Sequence, residues 1–106
     1  MPFDGTGFDP VTRRLILARE RVEAGWCKGT FRTNQQEYCM LGAIGFRSLK
    51  EITDSFKSYR SLRFKAMMRL QDALGHDWSI IAWQDKHRRT KEEVLAIFDK
   101  ALTLVG

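Results

Sequence analysis

The chain has 106 residues, of which 43% are hydrophobic, 29% charged and 11% aromatic, a make-up that fits one folded domain and excludes global disorder. Its longest apolar runs, such as Ile80 to Trp83, span only a few residues against the roughly 20 that a membrane helix needs, so no membrane partner is expected. Lysine and arginine outnumber aspartate and glutamate by 18 to 13, a net charge of +5, which makes a phosphate-bearing partner one of the readings to weigh.

The segment from Met1 to Pro10 carries Asp4 and Asp9 and has neither a basic start nor an apolar stretch, so it does not resemble a secretory leader. Residues 1–9 are expected to form a loosely ordered N-terminal segment, and a cytoplasmic setting is expected, in which Cys27 and Cys39 stay reduced. Asp9-Pro10 opens the first helix, because the aspartate side chain accepts from free amides and proline fits the first turn. Val11, Leu15, Ala18 and Val22 then recur at helical spacing, while Arg13, Arg14, Arg19, Glu20 and Glu23 fall on other faces. Gly25 closes this helix, and a left-handed conformation is expected there.

Residues 28–36 are polar, with Gly29, Thr33 and Asn34, and predict a loop. A second helix is expected from near Glu37 to about Leu49, with Tyr38, Leu41, Ile44, Phe46 and Leu49 as its apolar set and Cys39, Gly42, Ala43 and Gly45 as a stripe of small residues. Interior glycine costs about 1 kcal/mol relative to alanine, so Gly42 predicts the close approach of another backbone or of a tryptophan ring. Residues 50–57 predict a short amphipathic or turn-like stretch. A third helix from about Ser58 to Leu74 follows, with Leu62, Ala66, Leu70 and Ala73 as its stripe, Met67 and Leu74 widening it and Gly75 as its stop.

Between Gly75 and Arg89, the residues Trp78, Ile80, Ile81 and Trp83 are too apolar for a bare loop and predict a buried helical turn. Thr90 and Glu93 then have the spacing of a capping box. Val94, Phe98, Ala101 and Val105 continue the last helix to the carboxyl end, flanked by Leu95, Ile97 and Leu102. The fold class expected is all-α: a single domain of about four helices over residues 1–106, centred on Trp26, Cys27, Cys39, Gly42, Trp83 and Asp85.

Three blocks, Gly25-Trp26-Cys27-Lys28-Gly29, Cys39-Met40-Leu41-Gly42-Ala43 and Trp83-Gln84-Asp85 with the Arg89-Thr90-Lys91-Glu92-Glu93-Val94 that follows, resemble a small bacterial and phage domain family of unassigned function. The resemblance covers the chain from about Arg13 onward. Family members usually carry asparagine where this chain has Gln84. What it implies is a compact helical domain, with no activity or substrate to carry over.

Charge gives the sharper functional clue. Residues 47–69 hold Arg47, Lys50, Lys57, Arg60, Arg63, Lys65 and Arg69 against Glu51 and Asp54, an excess equal to the whole net charge of +5. A second cluster, Lys86, His87, Arg88, Arg89 and Lys91, precedes the last helix. Together they form a candidate nucleic-acid surface, with Tyr59 or Phe64 able to stack on bases. A helix-turn-helix drawn with residues 50–56 first and 61–70 as reader is weak, since its turn lacks glycine and only Arg60 and Arg63 suit base edges.

Chemistry is less supported. Cys27 or Cys39 with His87 and Asp85 supplies the residue types of a cysteine-histidine-acid triad, but neither cysteine has a hydrolase signature around it. A zinc site would need the two separated cysteines to recruit His76 or His87, with Asp85 as a fourth ligand, which is not a zinc-ligand spacing. No metal and no cofactor are expected. The sequence therefore points to a small non-enzymatic interaction module with a protein partner, in keeping with an accessory role in a phage or mobile element. Nucleic-acid binding through the basic surface is the alternative and a cysteine-dependent enzyme the third choice.

Overall fold

Asp9 caps the first helix as its sequence suggests. In the computed structural model, whose described residues are 9–75, 77–86 and 88–103, helix α1 spans Pro10–Ala24, and the Asp9 carboxylate accepts from the Thr12 amide at 2.9 Å. Val11, Leu15, Ala18 and Val22 are all buried, so the helical stripe faces the core. Gly25 ends the helix in extended backbone, with φ of −175°, and not in the left-handed form expected. Its amide still bonds the Arg21 carbonyl, and from there the chain leaves straight into a loop.

That loop folds on itself through isolated bridges. The Tyr38 amide bonds the Gly25 carbonyl at 2.9 Å and the Cys27 amide bonds the Tyr38 carbonyl at 3.2 Å, while Thr33 and Glu37 close a turn with an amide-carbonyl bond of 2.9 Å. The result sets Phe31 and Arg32 alongside Tyr38 and delivers the chain into the next helix.

The second helix is much shorter than expected. Helix α2 covers Met40–Ile44 and every one of its residues is buried, after which Gly45, at φ of 126°, turns the chain. Only glycine takes that conformation without strain, which is why one long helix to Leu49 does not form. Helix α3 (Leu49–Ser55) occupies the stretch expected to be amphipathic or turn-like and is capped by Ser48. Helix α4 (Leu62–Leu74) begins four residues later than expected, at the Ser61 cap. Helix α5 (Ile80–Gln84) is the buried turn after Gly75, and helix α6 (Lys91–Thr103) completes the described chain.

The chain is thus an all-α single domain with six helices among the described residues, the extra two being α3 and α5, short segments expected as an amphipathic or turn-like stretch and as a helical turn. Helix α1 packs on α2, α4 and α6, and α4 also packs on α6. Ala66, Met67, Leu70 and Ala73 of α4 meet Val94, Phe98 and Ala101 of α6 in this core. Leu62, expected inside, lies outside at the start of α4. The expected N-terminal segment and Val105 fall outside the described residues, apart from Asp9.

The centre of the fold is correspondingly displaced from the one expected. Cys39, Gly42 and Trp83 are buried, but Trp26 and Cys27 are half-buried at the edge and Asp85 is exposed. The Trp26 indole Nε1 is enclosed with no hydrogen-bond partner among the described residues.

The capping box at α6 is formed. The Thr90 amide donates to Glu93 Oε1 at 3.0 Å and the Glu93 amide donates to Thr90 Oγ1 at 3.2 Å. The Thr90 amide, and after it the Arg89 guanidinium, hold the Glu93 carboxyl below the usual glutamate range. The unfolded chain therefore takes up this proton at higher pH than the folded protein. The contribution is complete above the ordinary glutamate value of about 4.3 and is lost as pH falls through the lower folded value. Glu93→Gln keeps a capping side chain and removes the titration, so its stability is expected to fall less steeply in acid than that of the wild type. Thermal melts followed by circular dichroism between about pH 6 and pH 3 check this, and parallel acid limbs would refute it.

Candidate functional site

A five-residue helix cannot satisfy its own ends. Its first amides and last carbonyls have no partner within the helix, and α2 is buried, so water is poorly placed to serve them. At the start, the Met40 amide donates to Gln84 Oε1 at 2.9 Å and the Gly42 amide to Cys39 Sγ at 3.3 Å. At the end, three arginines from other helices take the carbonyls. Arg21 donates to Ala43 at 3.0 Å, Arg14 to Ile44 at 3.1 Å and Arg63 to Gly45 at 3.2 Å.

Arg14 and Arg21 stand seven residues apart on α1, hence on one face and about 10.5 Å apart along the axis. Each uses one Nη on a carbonyl, and a guanidinium has five N–H donors. Both residues line a cleft of about 480 Å³, whose other walls include Arg32, Arg47, Phe31 and Tyr38. Gly42, Gly45 and Phe46 form part of its lining. The Arg21 guanidinium lies 5.5 Å from the centre of the Tyr38 ring, which fixes it further.

None of Arg14, Arg21, Arg32 and Arg47 has a carboxylate partner among the described residues. Four permanent cations around one concave space, two of them held rigid by the backbone, suit a ligand with several anionic oxygens. Phe31 and Tyr38 add flat apolar surface beside them.

Gly42 makes this arrangement possible. A Cβ there would overlap the Phe31 carbonyl oxygen outright and sit 2.7 Å from the carbonyl carbon. That carbonyl accepts from the Cys39 amide at 3.2 Å. The loop therefore lies directly on the helix, and the close approach that interior glycine implies is a backbone one.

The structure divides the expected nucleic-acid residues. Lys50 pairs with Asp54, Arg63 with Glu51, Arg69 with Asp9 and Arg89 with Glu93. Arg89 also donates to the Trp83 carbonyl at 2.9 Å and lies 3.9 Å from the centre of the Trp83 ring, while Arg69 donates to buried Thr12 at 2.8 Å. Arg63, Arg69 and Arg89 thus serve the fold directly, whereas Lys50 makes an exposed pair along α3. Arg47, Lys57, Arg60, Lys65, Lys86 and Arg88 are exposed and have no ion pair among the described residues. Arg47 alone of the ten expected residues lines the cleft. Arg14, Arg21 and Arg32 were not among them, although the seven-residue spacing of Arg14 and Arg21 beside the buried stripe of α1 was a usable signal.

Burial pushes the Cys27 thiol up to about 11, with Cys39, Glu37 and Asp85 adding to it, and burial raises the Cys39 thiol as well. Both are protonated at neutral pH, the opposite of an activated nucleophile. His87 and His76, which the triad and zinc readings need, lie outside the described residues. Among the described residues no group of three or more histidine, cysteine, aspartate or glutamate side chains is placed to hold a metal ion. The Asp85 carboxylate instead accepts from the Gly29 amide at 3.2 Å and from Gln84 Nε2 at 3.0 Å, pinning the loop to α5.

A family of unknown function, DUF6197, matches residues 9–104 of the chain. The chain belongs to this family. The DUF6197 match takes in all six helices, the bridged loop and every residue of the arginine cleft. No curated protein and no solved structure matches the chain. No helix among the described residues is long and apolar enough to cross a membrane.

Proposed function

We propose that the chain is a small binding module whose arginine-lined cleft takes a phosphate-bearing ligand. The observation that carries this is the set of four guanidiniums, Arg14, Arg21, Arg32 and Arg47, bordering one cleft, none of them in an ion pair among the described residues. Leaving like charges together costs stability through repulsion, and a bound polyanion reverses the sign of that term. The cleft volume of about 480 Å³ falls in the range of small-ligand sites. Carbonyl bonds from Arg14 and Arg21 reduce the side-chain entropy lost on binding.

The test is calorimetric titration with inorganic pyrophosphate and with a nucleoside triphosphate at low salt. Arg32 and Arg47 have no side-chain hydrogen bond among the described residues, so Arg32→Gln and Arg47→Gln leave the internal bonding intact. Each is expected to weaken binding about tenfold or more, the loss of one charge-assisted contact. Absence of binding to the wild type, or undiminished affinity in both variants, sinks the proposal.

A further inference from the structure

The cleft has one edge at Arg47, and α3 starts two residues later. Helix α3 has seven residues and so runs for about 10 Å to a turn that is built of exposed aromatic and basic side chains. Phe56 is 60% exposed, Tyr59 61% and Leu49, on the same face of α3 as Phe56, 64%. These are large apolar groups to leave in water, and both rings have neighbours. The Phe56 ring stands edge-on to Phe64 at 5.2 Å, and Arg60 lies 5.9 Å from the centre of the Tyr59 ring. Lys57, Arg60 and Lys65 lie next to them in sequence and form no ion pair among the described residues, although Lys57 adds to Lys50 in holding the Asp54 carboxyl down, and Glu51 is paired with Arg63 and Asp54 with Lys50.

We propose that the ligand is single-stranded nucleic acid, with phosphates in the arginine cleft and bases stacked on Phe56 and Tyr59 at the far end of α3. This rests on the phosphate-binding reading of the cleft and extends it to a chain ligand. Exposed rings interleaved with unpaired cations are the pattern of single-strand binding surfaces, where any base can stack and the cations follow the backbone. The span matches the smaller sites of this kind, on the order of four nucleotides. A duplex is disfavoured because its bases are already stacked, and because two of the cations on the open side of α4 are engaged within the protein, Arg63 with Glu51 and Arg69 with Asp9 and Thr12, which leaves few groups for base edges.

Fluorescence anisotropy with labelled oligothymidylates of about 2 to 12 nucleotides, bracketing that site size, tests the inference, with pyrophosphate as the probe of the cleft alone. Affinity is expected to rise with length to about four nucleotides and then level off. Phe56→Ala combined with Tyr59→Ala, both at exposed positions, is expected to weaken the longer oligonucleotides about tenfold or more and to leave pyrophosphate binding unchanged. Arg60→Gln is expected to flatten the salt dependence by about 0.7 in the log-log slope. Pyrophosphate binding without any gain from length, oligonucleotide affinity indifferent to the aromatic substitutions, or equal affinity for a duplex would each overturn the inference and leave the cleft reading standing. Failure of both pyrophosphate and oligonucleotides to bind would overturn both.

Discussion

Gly42→Ala is expected to cost about 3 kcal/mol of stability, at the upper end of the usual range for overpacking, and to lower the melting temperature by roughly 12 °C or more. The obstacle to the added methyl is the Phe31 carbonyl and not a side chain that can rotate away. Relief requires the loop to lift, which strains the bond from the Cys39 amide to that carbonyl and carries Phe31 and Arg32 out of the cleft wall. Stability and phosphate binding should therefore fall together. Scanning calorimetry with pyrophosphate titration measures both, and a variant that melts within a few degrees of the wild type would show that the loop is not held against α2.

Gln84→Leu is expected to cost about 2 to 3 kcal/mol, the penalty for a buried donor left without its acceptor. Gln84 is only 3% exposed, its Oε1 takes the Met40 amide and its Nε2 donates to Asp85. Leucine fills a similar volume, so the loss isolates the hydrogen bonds from the packing. Urea unfolding gives the magnitude. Native-state amide exchange should show the α2 amides exchanging faster than those of α6, and uniform change across the chain would argue against a local role for this amide.

What was legible in the sequence was what a few neighbouring residues decide. Asp9-Pro10 and the Thr90-Glu93 box act within one turn, and both caps are present. The stripes of α1, α4 and α6 follow from the helical period alone, and among the described residues the buried positions match them except Leu62, which is exposed, and Leu74, which is half-buried. Gly45 was harder, because the same glycine fits a helix interior or a positive-φ turn, and the choice depends on arginines that are distant in sequence. The Arg14 bond spans 30 positions, the Arg21 bond 22 and the Arg63 bond 18. The cleft was hidden for a related reason. Charge density drew attention to residues 47–69, where Lys50, Arg63 and Arg69 are in fact paired, while the cations that share the cleft come from separate parts of the chain.

The dependence of α2 on side chains from α1, α4 and α5 also bears on the order in which the chain folds. A helix of five residues pays the full cost of nucleation and recovers almost none of it by propagation, so it has no stability of its own to contribute early. Helices α1, α4 and α6 are more than twice as long and pack directly on one another, so they can support each other before α2 forms. Helix α2 is then expected to lock last, closing like a keystone once the arginines and Gln84 are in place, with the loop that rests on Gly42 settling beside it. The proposed cleft borders this late-forming unit, so a polyanion bound there is expected to act as a clasp on the finished fold.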